Sequence, residues 1–180
     1  MALDRETVLP VAADFLARRP NATQDEIAAA VGVSRATLHR YFSGRAALLE
    51  AVDQFATAHL RAALKAGRGQ EDSAADALRR LVAACQPVSG YLNLLYTQSQ
   101  DFETNQPKEA WAEIDAEVRE LFLRGQREGE FRPDLNAFWL TEAFFNLMAG
   151  AAWVVSVGGA GRREFIDMVT DLLLRGVGRS

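Results

Sequence analysis

Twenty residues, TQDEIAAAVGVSRATLHRYF from Thr23 to Phe42, leave little freedom in how they can fold. Thr23 is followed three positions later by Glu26, the spacing of a capping box, so a helix opens at Thr23. Gly32 comes directly after the apolar positions Ile27, Ala28 and Val31 and closes that helix, because the left-handed conformation a helix stop needs is cheap for glycine alone. Ser34 then caps a second short helix that ends near Phe42. A helix, a tight glycine turn and a second helix of about eight residues is the helix-turn-helix unit, whose second helix lies in the major groove of DNA.

The rest of the chain reads as helix too. Apolar residues recur at spacings of three and four, alanine and leucine are abundant, and hairpin turn dipeptides are missing. A first helix runs to about Arg18, with Val8, Ala12, Phe15 and Leu16 on one face and Pro10 as a start or kink point. A fourth runs from Arg45 to about Lys65. The small, polar stretch AGRGQEDSAAD separates it from apolar faces at Ala74, Leu78, Leu81, Val82 and Cys85. Further helices are expected over VSGYLNLLYTQSQDF, from Trp111 to Gly125, and over FWLTEAFFNLMAGAAWVV, with Gly129 as a stop and Pro133 as a start. The last of these is apolar nearly all round, so it must be covered on more than one side. A final helix carries Phe165, Val169, Leu172 and Leu173 on its apolar face. The expected fold is all-α, with about nine helices.

Composition excludes several classes. With 180 residues, 49% of them apolar, the chain can bury a core of its own as one large or two small domains. Its single cysteine rules out an internal disulfide, MALDRETVLP has no signal-peptide pattern, and no charge-free apolar run reaches bilayer length. A cytoplasmic protein with no membrane partner is expected. The net charge of −4 argues against a sequence-blind nucleic-acid coat, yet Val33–Leu48 holds only Arg35, Arg40 and Arg45 as charged residues.

That local imbalance has a direction. On a helix started at Ser34, Leu38 and Phe42 share one side, where Ile27, Val31 and Val33 can receive them, while Arg35, Ala36, His39 and Arg40 occupy the opposite arc. An arginine fork can bond guanine O6 and N7 together or clamp a phosphate, and a carboxylate on that arc would be repelled by DNA.

Residues from about Val8 to Val52 resemble the DNA-binding domain of the TetR family of bacterial regulators, through Thr23, Ile27, Ala28, Val31, Gly32, Val33, Ser34, Thr37, Leu38, Tyr41, Phe42, Arg45 and Leu48. The resemblance implies an N-terminal three-helix helix-turn-helix domain, 1–52, and a helical regulatory and dimerisation domain, 53–180. It implies a homodimer on a near-palindromic double-stranded operator, and a small-molecule effector that lowers operator affinity. Thr23 and Tyr41 would touch phosphates, and Ser34, Arg35, Ala36, Thr37, His39 and Arg40 belong to the recognition helix and its cap. Arg45 stands where a lysine commonly grips the DNA backbone. Two departures are visible: only Arg5 represents the basic arm many members carry, and His39 replaces a usual tyrosine.

In the second domain the aromatic load points to a mainly apolar cavity. The candidate lining is Tyr91, Tyr96, Trp111, Phe122, Phe144, Met148 and Trp153, with Glu142, Asn146 and Gln98 as polar groups. Ala143, Gly150 and Val154, with Phe165, Val169 and Leu172 of the last helix, form the candidate dimer contact. A dimerising domain that takes no ligand is the alternative. An enzyme is not expected: the two histidines, His39 and His59, fall in or near the DNA-reading part, and neither metal-ligand spacing nor a nucleophile or phosphate-loop motif occurs. No cofactor or metal is called for. Cys85, on an apolar face, reads as an inert buried thiol, GGAG as a connector, and the sequon at Asn21 as irrelevant inside a cell.

Overall fold

A computed structural model describes residues 5–67, 73–92, 100–101, 106–107 and 109–178. Among them are eight α-helices: α1 (Arg5–Arg18), α2 (Gln24–Val31), α3 (Arg35–Tyr41), α4 (Arg45–Gly67), α5 (Ala74–Cys85), α6 (Glu109–Arg127), α7 (Ala137–Ser156) and α8 (Phe165–Val177). A 3-10 segment, Gln86–Tyr91, follows α5, and Gln100–Asp101 pairs antiparallel with Gln106–Pro107. Two expectations are corrected here. The helix placed over VSGYLNLLYTQSQDF begins as that 3-10 segment, and α7 starts not at Pro133 but after Asn136, whose side chain accepts from the amides of Phe138 and Trp139. Pro10 lies inside α1 without starting it.

Buried apolar side chains form two clusters. One gathers Val8, Leu16, Ile27, Val31, Leu38, Phe42, Leu48 and Val52 from α1 to the first part of α4. The other runs from Ala56, Leu60 and Leu64 of the same α4 through α5, α6, α7 and α8. Helix α4 therefore belongs to both, and Tyr91 packs against both. The Tyr91 ring meets Phe55 of α4 edge-on at 6.1 Å, while burial and the neighbouring Asp14 of α1 push its hydroxyl pKa up.

The stretch GQREGEFRPDL, between α6 and α7, is an architectural knot. Gly125 lies under the Phe131 ring, where any Cβ would collide with it. Gln126 Nε2 donates to the carbonyls of Arg132 at 2.9 Å and Leu135 at 2.6 Å. Glu130 accepts from the amides of Ala74 and Ala75 at 2.8 and 3.0 Å, so it satisfies the open amides at the start of α5. The Arg132 amide bonds the Val177 carbonyl at 2.8 Å, which anchors the end of α8. One loop thus ties three helices together.

By length and composition α7 meets what a membrane-crossing helix needs, despite Glu142 near its middle. One side of it, with Leu140, Phe144, Phe145 and Met148, is sealed in the second cluster.

Candidate nucleic-acid interface

The local chemistry read from the sequence is present atom by atom. The Thr23 amide donates to Glu26 Oε2 at 2.7 Å, and the Glu26 amide donates to Thr23 Oγ1 at 3.3 Å, closing the capping box. The Thr23 hydroxyl also lies 2.8 Å from Glu26 Oε2, and these bonds hold the Glu26 carboxyl below its usual pKa. Gly32 adopts φ 81°, ψ 28°, and the Val33 amide reaches back to the Ala28 carbonyl at 3.0 Å. Ser34 Oγ accepts from the Thr37 amide at 3.1 Å and sits 2.9 Å from the Thr37 hydroxyl.

These caps orient α3. Leu38 and Phe42 are buried, whereas Arg35, Ala36, His39 and Arg40 are exposed together on the outer side, with Tyr41 and Thr37 half-buried at its edges. Arg35 pairs with Asp25 of α2 at 3.3 Å, and Arg40 lies over the Tyr41 ring at 5.5 Å. Exposed pairs of this kind cost little to open, so both guanidinium groups are available to a partner. Arg45 is different. It is half-buried, and its guanidinium donates to the carbonyls of Ala22 and, at 2.7 Å, of Pro20. Its donors turn to the α1–α2 turn, away from the backbone-gripping role that the resemblance assigns.

In the second cluster Trp111, Phe122, Phe144 and Met148 are buried together. Trp111 stacks at 4.9 Å on Phe145, which meets Phe144 edge-on at 5.2 Å. Tyr91 sits at the junction of the two clusters rather than deep in the second, and Tyr96 and Gln98 lie outside the described residues. Glu142 is half-buried, and Asn146 is exposed with its amide bonded to the Glu142 carbonyl at 2.8 Å. Trp153 does not join the cluster: it is 65% exposed on the opposite side of α7. Phe165 and Val169, expected at a dimer contact, are 2% and 3% exposed and pack into their own subunit's core. Their neighbours Met168 and Leu172 face outward instead, so Leu172 is not an inward residue.

One residue escaped the sequence reading. Asp115 is buried on α6 beside Ile114, its Oδ2 lies 3.4 Å from Arg119, and its Oδ1 has no hydrogen-bond partner among the described residues. Burial pushes its carboxyl pKa up, against the opposing pull of Arg119. The signal was an acid interrupting the apolar stripe Trp111, Ile114, Val118, Phe122.

A short, cation-bearing helix held outward by caps, ahead of a larger helical body, defines a DNA-binding regulator with a separate second domain. Residues 16–52 match the family model for bacterial regulatory proteins of the TetR family. The chain is 30% identical over 173 residues to the HTH-type transcriptional regulator NfxB of Pseudomonas aeruginosa, covering 95% of this chain and 92% of that one. It is 29% identical over 174 residues to the HTH-type transcriptional repressor LfrR of Mycolicibacterium smegmatis, covering 96% and 89%. The solved structure of LfrR in complex with proflavine, from Mycobacterium smegmatis, matches with a TM-score of 0.75 at 25% identity, over 98% of this chain and 97% of that one. The chain belongs to the TetR family of bacterial transcriptional regulators.

Proposed function

We propose that the protein is a cytoplasmic homodimeric repressor. It binds a near-palindromic operator through α3 and leaves it when the second domain takes up a small, flat, mainly apolar or aromatic molecule. The observation that carries the reading is the sidedness of α3: Leu38 and Phe42 sealed inward, Arg35, His39 and Arg40 outward with no carboxylate among them. An isolated pair of turns of helix spans only a few base pairs, so two copies related by a two-fold axis are needed to reach a specific site.

The dimer reading is supported by the outer side of α7. Trp139, Ala143, Asn146, Gly150, Trp153 and Val157 recur there at spacings of three and four, and Trp139 and Trp153 are 63% and 65% exposed. Leu172 of α8, 60% exposed, adds to this face. Two copies laid together would bury these rings in a helix bundle.

The effector reading is supported by the stacked rings Trp111, Phe144 and Phe145 and by LfrR, whose solved complex holds proflavine. Because α4 and Tyr91 touch both clusters, a molecule that shifts the second domain would shift the reader. Linkage then requires it to bind the DNA-free form more tightly by the factor it weakens DNA binding. The full burial of Phe122, Phe144 and Met148 favours the other reading, a second domain that only dimerises.

Selection from random DNA, followed by titration of the selected duplex with proflavine as probe, separates these readings. An inverted repeat released by proflavine supports the repressor with an effector. A repeat that neither proflavine nor a panel of apolar aromatics releases supports the ligand-independent dimer. Selected DNA without two-fold symmetry would overturn both.

A further inference from the structure

We propose that Arg45 is a positioning residue that fastens α4 to the reader, and not a phosphate contact. Arg45 is the first residue of α4, whose first turn holds no acid. A cation is disfavoured there, because the open amides of a helix start already carry partial positive charge. The arginine resolves this by reaching 25 and 23 positions back, to the carbonyls of Pro20 and Ala22. Those carbonyls lie just past the end of α1 at Arg18, the negative pole of that helix, where a cation is favoured. A planar guanidinium can serve two separated carbonyls at once, whereas an ammonium is a single point donor.

The two anchored carbonyls sit immediately before Thr23, the cap that starts α2. Fixing Ala22 therefore fixes where α2 begins, and with it the direction of α3, relative to α4. Behind Arg45, Leu48 and Val52 pack into the reader's cluster, while Ala56, Leu60 and Leu64 of the same helix pack into the other. With the bridge intact, the reader and α4 turn as one body, and any tilt of α4 is passed to α3 undiminished. The same donors cannot hold these carbonyls and a phosphate together.

The inference rests on the DNA-binding reading, and its test separates the two. The full-length protein and its Arg45→Lys and Arg45→Ala variants are titrated with the duplex selected by the unmodified protein, and with versions one base pair longer or shorter between half-sites. Titrations run well below each variant's unfolding temperature. A positioning role predicts roughly tenfold weaker binding for both variants. It also predicts an unchanged slope of log affinity against log salt for Arg45→Ala, and a loss of discrimination between the three spacings. The proposal is overturned if Arg45→Lys binds as the unmodified protein does while Arg45→Ala lowers the slope by about 0.9, the signature of one lost phosphate contact. It is equally overturned if both variants lower only the unfolding temperature and keep affinity and spacing preference. Failure of the unmodified protein to select any repeat would instead remove the DNA-binding reading itself.

Discussion

The helices of the reader and of the second domain solve opposite problems. Helices α2 and α3, 8 and 7 residues long, are too short to persist alone in water, so each end is pinned by a cap and each inward side by the cluster around Ile27 and Phe42. Helices α6 and α7, 19 and 20 residues long, have no such dependence on their ends. They are organised by which of their sides meet which neighbour. In the reader, polar residues left outside are the functional surface. In the second domain, it is the apolar residues left outside, Trp139, Trp153 and Leu172, that call for a partner. Outward residues thus report function in both regions, with opposite chemistry.

The largest effect expected from breaking this contrast is at Phe42, fully enclosed where α3 meets the reader's core. Phe42→Ala should cost about 3–5 kcal/mol, a large share of a domain's stability. Because the second cluster is built without it, operator binding should vanish while light scattering still shows a dimer. Loss of both together would mean that the two regions fold as one unit.

Next comes Gly150→Trp. Nothing in its own subunit lies near a side chain added at Gly150, so the subunit should fold normally. Only a second copy against α7 would be displaced. A monomer by light scattering, with operator affinity down roughly a hundredfold through lost bivalency, is expected. A Gly150→Trp protein that remains dimeric would move the interface off this face.

Arg40→Ala probes the polar exterior. If Arg40 reads a base, the loss should be about 1–3 kcal/mol, confined to one position of the half-site in a repeat of the DNA selection. A uniform loss across sequences would make it a phosphate contact instead.

The smallest effect belongs to Asp115, the polar exception inside the apolar region. Its folded-state pKa lies above its unfolded one, so the folded protein binds the extra proton and stability falls as pH rises from the usual aspartate range through the raised value. Asp115→Asn should remove that fall and slightly raise the neutral-pH unfolding temperature, as followed by circular dichroism at several pH values. A lower melting point at neutral pH would show that the carboxylate has a charged partner that matters more than its burial.

What could be read in advance divides along the same line. The caps at Thr23 and Ser34, the glycine stop and the sidedness of α3 are interactions between residues within a few positions of one another, so residue type and spacing specified them. The inward burial of Trp111, Phe122, Phe144 and Met148 was legible too, since each is large and apolar. The exposure of Trp153, the inward turn of Phe165 and Val169, and the solitary Asp115 were not. On a helix that is apolar nearly all round, periodicity does not say which apolar side meets the subunit's own core and which faces out.

By itself, then, the sequence determined an all-helical chain whose first fifty residues present a cationic helix, because helix starts, stops and faces are set by local hydrogen bonding and by the 3.6-residue turn. Only the tertiary structure decided where Arg45 sends its donors and how α4 divides its length between two cores. It also decided which face of α7 remains uncovered. Each of these depends on contacts between residues tens of positions apart, and no local pattern encodes the distance between them once the chain has folded.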